Sequence, residues 1–140
     1  MSFKNILEEK KTSAQLDPEK EEELVELLMG LTNYADMDAI AVVSKQGVKL
    51  AYFATEESDA DPDLMAAVSA ALLVQGEMAT DKLALDELYE VIVRGRDGFV
   101  VLSHAGDFLI MGSAKDITSM GLAVTQMRKY AKEIGRLLEK

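Results

Sequence analysis

The sequence predicts an α/β protein in three layers, a five-stranded antiparallel sheet with one helix on one face and two helices on the other. Three observations predict this fold class. Helix-like and strand-like segments alternate in the order helix, two strands, helix, three strands, helix. The strands within each group are joined by short links, which favours antiparallel neighbours. The later strands are apolar on both sides, so both faces of the sheet need a cover of helices.

The first helix is predicted to begin at Pro18, with Asp17 as its N-cap, because Asp-Pro followed by acidic residues is a favoured helix start. Its apolar face consists of Leu24, Leu27, Leu28 and Leu31. The following stretch, AIAVVSKQGVKLAYFA, has the composition of two strands. Gln46 and Gly47 between them predict a hairpin turn.

The second helix is predicted from Asp61 and Pro62 to about Thr80, and it contains an unusually long uncharged run. No charged residue lies between Asp63 and Glu77, although 29% of the chain is charged. One broad apolar stripe is expected to lie on the sheet, and its members are Leu64, Val68, Ala71, Leu72 and Met78. The opposite side carries Ala66, Ala70 and Leu73, with Glu77 beside them. A helix that is apolar all round is usually buried, so we expect a second protein chain to cover that side, rather than an exposed alanine stripe.

The three remaining strand-like segments are LYEVIVRG, FVVLSH and FLIMGS, separated by the turn sequences GRDG and AGD. The closing helix, at about 116–139, has a packing seam formed by Ile117, Met120, Val124, Met127, Ala131, Ile134 and Leu138. The third strand begins this meander and can lie at a sheet edge, where an apolar strand invites pairing with another chain. We therefore predict a homodimer in which Leu88, Tyr89, Val91, Ile92 and Val93 join the helix residues at the interface.

Composition limits the classes of function. The net charge of −10 argues against binding nucleic acid and against anionic membranes. The chain has no cysteine, which excludes a thiol nucleophile and a cysteine zinc site. No secretory start and no uncharged run of membrane-spanning length is present, so we expect a cytoplasmic protein without membrane insertion. We place one domain at residues 17–140 and an N-terminal extension at residues 1–16.

No residue pattern in the chain predicts catalysis or metal binding. His104 is the only histidine and has no nearby serine in a suitable context. Asp59, Asp61 and Asp63 have the spacing of calcium ligands, but Leu64 occupies the glycine position of such a loop, and capping explains Asp61 better. We therefore predict a non-enzymatic protein with no catalytic, cofactor-binding or metal-binding residues and no cofactor.

The chain is not predicted to be a P-loop GTPase itself, because it contains no GxxxxGK[ST] sequence. Arg94 and Arg96 flank the GRDG turn. Two interpretations stay open for them: solvated turn residues near an acidic surface, or an arginine donated in trans to a GTPase.

The hairpin stretch, LMAAVSAALLVQGEMA, the three-strand meander and the closing amphipathic helix together resemble the Roadblock/LC7 family over about residues 18–138. The resemblance implies a five-stranded antiparallel sheet with the second helix alone on one face. It also implies a dimer through the second helix and third strand. The resemblance further implies work as a scaffold or regulator of small Ras-like GTPases or as an adaptor on dynein, and the bacterial members of the family include proteins that activate a polarity GTPase.

The predicted function is a dimeric, non-enzymatic scaffold or regulator that binds a small Ras-like GTPase or another partner protein. The dimer partner is a second copy or a paralogue. The alternative is a small-ligand sensory domain of the PAS or profilin-like type, because such sensors also place helices on both faces of a sheet. An enzyme is the weakest alternative, since no nucleophile, base and charge stabiliser converge.

Overall fold

The structure is a computed structural model that describes residues 17–56 and 58–139, so the predicted extension at residues 1–16 lies outside the described residues. The helices are α1 (Pro18–Ala35), α2 (Pro62–Lys82) and α3 (Met120–Glu139). The strands are β1 (Ala39–Ser44), β2 (Lys49–Ala54), β3 (Glu90–Gly95), β4 (Gly98–Ala105) and β5 (Phe108–Ala114). A short 3₁₀ turn, Ile117–Ser119, leads into α3. The predicted order of elements is confirmed.

Aspartate side chains start the first two helices, as the Asp-Pro pattern predicts. Asp17 Oδ1 accepts a hydrogen bond from the backbone N–H of Lys20 at 2.9 Å. Asp61 Oδ1 accepts from the N–H of Asp63 at 2.9 Å and of Leu64 at 3.4 Å. These bonds satisfy N–H groups that have no partner inside the helix. The sequence pattern therefore fixes where both helices begin.

The sheet is antiparallel throughout, with the strand order β2-β1-β5-β4-β3. Met111 of β5 accepts a hydrogen bond from Ser69 of α2 at 3.4 Å. The next residue, Gly112, faces the side chains of Met37 and Met127. Because successive strand residues point to opposite faces, α2 lies on one face and α3 on the other. The helix α1 packs against α3, so the predicted three-layer arrangement is confirmed.

The predicted orientation of α2 is wrong, because the two sides of this helix are exchanged. Its buried residues are Met65, Ala66, Ser69 and Leu73. The stripe expected on the sheet is instead largely exposed: Leu64, Val68, Ala71 and Met78 face outward, and only Leu72 is half-buried against the core. The small residues that were expected to admit a second chain therefore admit the protein's own sheet.

Close contacts with the sheet explain this orientation. A Cβ atom added at Gly76 would lie 2.9 Å from Val91 Cγ2, so α2 approaches β3 too closely there for a larger residue. Ala70 lies beside the β1–β2 turn, since a Cβ at Gly47 would be 3.3 Å from Ala70 Cβ. The Ser69 hydroxyl is buried but bonds to Met65 O at 2.7 Å. Small side chains are thus needed on the sheet side, and hydrophobicity alone does not distinguish the two sides.

We expect Gly135→Ala to destabilise the protein, because α3 packs directly on the β4–β5 turn at Gly135. A Cβ there would lie 2.8 Å from the backbone N of Gly106 and 3.0 Å from the carbonyl C of Ala105. Backbone atoms cannot yield cheaply, so we expect a loss of about 1–3 kcal/mol in the free energy of unfolding.

The matched control is Gly121→Ala in the same helix, where an added Cβ meets no atom within 4 Å. This variant should be neutral or more stable by up to about 1 kcal/mol, because alanine favours a helix more than glycine does. Urea unfolding of both variants at one protein concentration measures the difference. Equal stabilities would contradict the close packing of α3 on the turn.

Candidate interaction surface

The outward side of α2 presents a largely apolar surface without any charge, which we call the outer stripe. Its residues are Leu64, Ala67, Val68, Ala71, Val74, Gln75 and Met78, all of them exposed. The side chains of Leu64 and Val74 are 61% and 53% exposed. A soluble chain rarely leaves so long an uncharged helix face in water, so such patches mark contact sites.

The apolar surface continues beyond α2 into the loop and β3. Leu83 and Leu85 in the loop are exposed, and Tyr89 just before β3 is 78% exposed. Ile92 and Val93 of β3 are 43% and 44% exposed. These residues follow the outer stripe along the chain, and α2 meets β3 where Gly76 faces Val91 and Leu88.

The two edge strands of the sheet differ sharply in exposure. At the β2 edge, every residue except Leu50 is buried. At the β3 edge, the last four residues, from Ile92 to Gly95, are exposed. An exposed apolar edge strand offers unpaired N–H and C=O groups to another strand. The β3 edge is therefore the open one.

The residues of β3 divide between the two faces of the sheet. Val91 pairs with Leu102 and Leu102 pairs with Met111, so Val91 and Val93 lie on the α2 face. The others lie on the α3 face, and these are Glu90, Ile92 and Arg94.

An ion pair joins the start of β3 to α3. Arg128 donates from Nε to Glu90 Oε1 and from Nη2 to Glu90 Oε2, each at 2.8 Å. The hydrogen bonds to Glu90 and its negative charge raise the pKa of Arg128, which keeps the guanidinium charged. The Glu90 side chain is only 16% exposed, so this two-point contact fixes its carboxylate in position.

The structure separates the residues predicted for the interface into two groups. Ala66 and Leu73 are buried against the protein's own core, and Ala70 is half-buried beside the β1–β2 turn. The group that remains available at the surface or edge consists of Glu77, Leu88, Tyr89, Val91, Ile92 and Val93. The sequence interpretation assigned four residues of the outer stripe to the sheet and did not identify the others, and the small residues Ser69 and Gly76 were the available signal. The four are Leu64, Val68, Ala71 and Met78.

The residues considered for chemistry are not brought together. His104 is half-buried on β4, whereas Arg94 and Arg96 are exposed at the end of β3 and in the next turn. Within residues 17–56 and 58–139, no group of three or more histidine or acidic side chains could hold a metal ion. None of the helices in this part of the chain combines the length and apolarity needed to cross a membrane.

Comparisons with known proteins agree with this architecture. A family model described as the Roadblock/LC7 domain matches residues 23–113. The gliding protein MglB of Thermus thermophilus is 17% identical, with a TM-score of 0.82 over 91% of this chain and 96% of that chain. MglB of Myxococcus xanthus is 16% identical, with a TM-score of 0.77 over 91% and 95%.

A Roadblock/LC7 domain from Streptomyces avermitilis is 18% identical, with a TM-score of 0.70 over 81% of this chain and 96% of that chain. Likeness at these identities shows a shared fold and no more. The comparison with curated proteins finds no match.

Proposed function

Because the chain belongs to the Roadblock/LC7 family, we propose that it acts as a dimeric, non-enzymatic scaffold or regulator that binds a small Ras-like GTPase or another partner protein. The observation that carries this proposal is the uncharged outer stripe on α2, a helix that also contacts the strand at the open β3 edge. A second chain on that patch would remove exposed apolar area and satisfy the unpaired edge.

The dimer provides what a small regulator needs, namely a surface wider than one chain. Pairing at β3 would join two sheets into one and place two α2 helices side by side on the same face. The helices α1 and α3 would remain free on the other face. A partner protein that spans both copies would then recognise the dimer and not the single chain.

The GTPase as partner rests on the family, whose members include regulators of small Ras-like GTPases. A cytoplasmic location is part of the same proposal. The arginine hypothesis stays open for Arg96, which is exposed in the turn that follows the strand that would pair.

Affinity capture with loaded nucleotide tests the partner. Tagged protein is incubated with native cytosol containing either a non-hydrolysable GTP analogue or GDP, and bound proteins are identified by mass spectrometry. We expect a Ras-like GTPase to be enriched in one nucleotide state. The variant Ala71→Glu is expected to be a monomer, and it should recover at least tenfold less of this GTPase.

The control for capture is Thr125→Glu, which adds the same charge at an exposed position of α3. It should retain the partner. Recovery of no nucleotide-binding protein in either state would contradict the GTPase role. Equal recovery by Ala71→Glu would contradict a surface composed of two chains.

The sensory alternative has less support from the packing. Large side chains between the layers, among them Phe53, Leu102 and Met127, are fully buried in one hydrophobic core. The sensor function stays a prediction, and stabilisation against heat by a metabolite would test it.

A further inference from the structure

The strand β3 is self-complementary about Ile92. Between Glu90 and Arg94 the sequence is EVIVR, with opposite charges at the two ends, a valine inside each end and Ile92 in the centre. An antiparallel copy of this strand therefore sets each glutamate opposite an arginine and each valine opposite a valine. Cross-strand pairs of both kinds stabilise a sheet.

The faces of the sheet restrict how two copies of β3 can pair. Opposed residues in an antiparallel pair point to the same face. Two-fold pairing at an edge also keeps both α2 helices on one face. Residues of the α2 face, Val91 and Val93, can therefore pair only with residues of that face in the other copy. The register must then be centred on a residue, and the candidates are Val91, Ile92 and Val93.

Only one of the three centres sets opposite charges against each other and apolar residues against apolar residues. Centring on Val91 sets Ile92 opposite the partner's Glu90, and centring on Val93 sets Ile92 opposite the partner's Arg94. Centring on Ile92 sets Glu90 opposite the partner's Arg94 twice, by symmetry. It also sets Val91 opposite the partner's Val93 twice, on the face that carries α2.

We propose that the chain pairs with a second copy of itself through β3 in the register centred on Ile92, with Glu90 bound to the partner's Arg94. The proposal rests on the dimer of the proposed function and selects its partner as a copy and not a paralogue. Arg128 already holds the Glu90 carboxylate from within the chain. Each carboxylate oxygen accepts more than one hydrogen bond, so Glu90 can bind both arginines.

Single cysteines test the register, because the chain has no cysteine of its own. We expect Ile92→Cys to form a disulfide-linked dimer on oxidation, since directly opposed residues have Cα atoms about 4.5–5.5 Å apart. Val91→Cys and Val93→Cys alone should cross-link at least fivefold less. An equimolar mixture of these two variants should cross-link as a pair. Non-reducing electrophoresis and mass spectrometry measure the products.

A charge exchange tests the pairing of Glu90 with the partner's Arg94. Arg94→Glu and Glu90→Arg should each raise the dissociation constant of the dimer about tenfold, because each homodimer then contains two like-charge pairs. Mixing the two variants creates two opposite-charge pairs and should restore the dimer. Arg128→Ala is the control, because it removes the ion pair with Glu90 within the chain but keeps both Glu90 and Arg94.

The outcomes separate this register from the proposed function. A wild-type dimer that cross-links best at Val91 or Val93 alone overturns the register and leaves the dimer standing. A mixture of charge variants that binds no more tightly than either variant alone does the same. If the wild-type protein has the mass of one chain in light scattering, the dimer itself is overturned, and the register with it.

Discussion

Replacing Ala71 with glutamate is expected to turn a dimer into a monomer without unfolding the chain. Ala71 lies near the middle of the outer stripe, on the side of α2 that points away from the sheet. In a contact between two α2 helices, a carboxylate there would lose water without gaining a partner. A penalty of about 3 kcal/mol or more, met in both copies, raises the dissociation constant at least a hundredfold.

The fold of each single chain should survive this change. Ala71 is exposed, and surface substitutions usually change stability by less than about 0.5 kcal/mol. Light scattering across a range of concentrations should show the mass falling from that of two chains to the 15.3 kDa of one. Far-ultraviolet circular dichroism should stay unchanged.

Thr125→Glu is the matched control for the added charge, since Thr125 is exposed on α3. It should retain the mass of two chains. An Ala71→Glu protein that also retains that mass would place the dimer contact elsewhere and would remove the outer stripe from the proposed interface.

The order of elements was predictable because each boundary depends on local chemistry. Asp17 and Asp61 mark the helix starts, because their side chains accept hydrogen bonds from N–H groups two or three residues away. Gly47 permits the left-handed backbone, with φ at 89°, that the β1–β2 turn requires. Apolar residues on both sides of β4 and β5 required two covering layers. None of these inferences needs to know which distant residues meet.

The orientation of α2 was not predictable from hydrophobicity, because both sides of the helix are apolar. What decides it is the distance to the sheet, and small residues such as Ser69 and Gly76 allow that distance. The ion pair between Glu90 and Arg128 could not be predicted from the sequence either, since it joins residues that are 38 positions apart. Such contacts depend on the packed arrangement of three layers, which no local pattern encodes.

The reversed orientation gives the second large prediction, which compares two neighbouring residues of α2. Leu73→Ala should cost about 2–5 kcal/mol in the free energy of unfolding, because it empties space in the core. Val74→Ala should change it by less than about 0.5 kcal/mol within a single chain. Leu73 is 4% exposed and Val74 is 53% exposed, although they are adjacent in the sequence.

Both substitutions are best made in the Ala71→Glu protein, whose stability does not depend on concentration once it is a monomer. Urea unfolding then reports the single chain alone. In the otherwise wild-type chain, Val74→Ala should instead weaken the dimer, which dilution in light scattering detects. If Val74→Ala proved the costly change and Leu73→Ala the harmless one, α2 would lie on the sheet by its other side. The outer stripe would then be core, and the proposed contact between two copies would lose its physical basis.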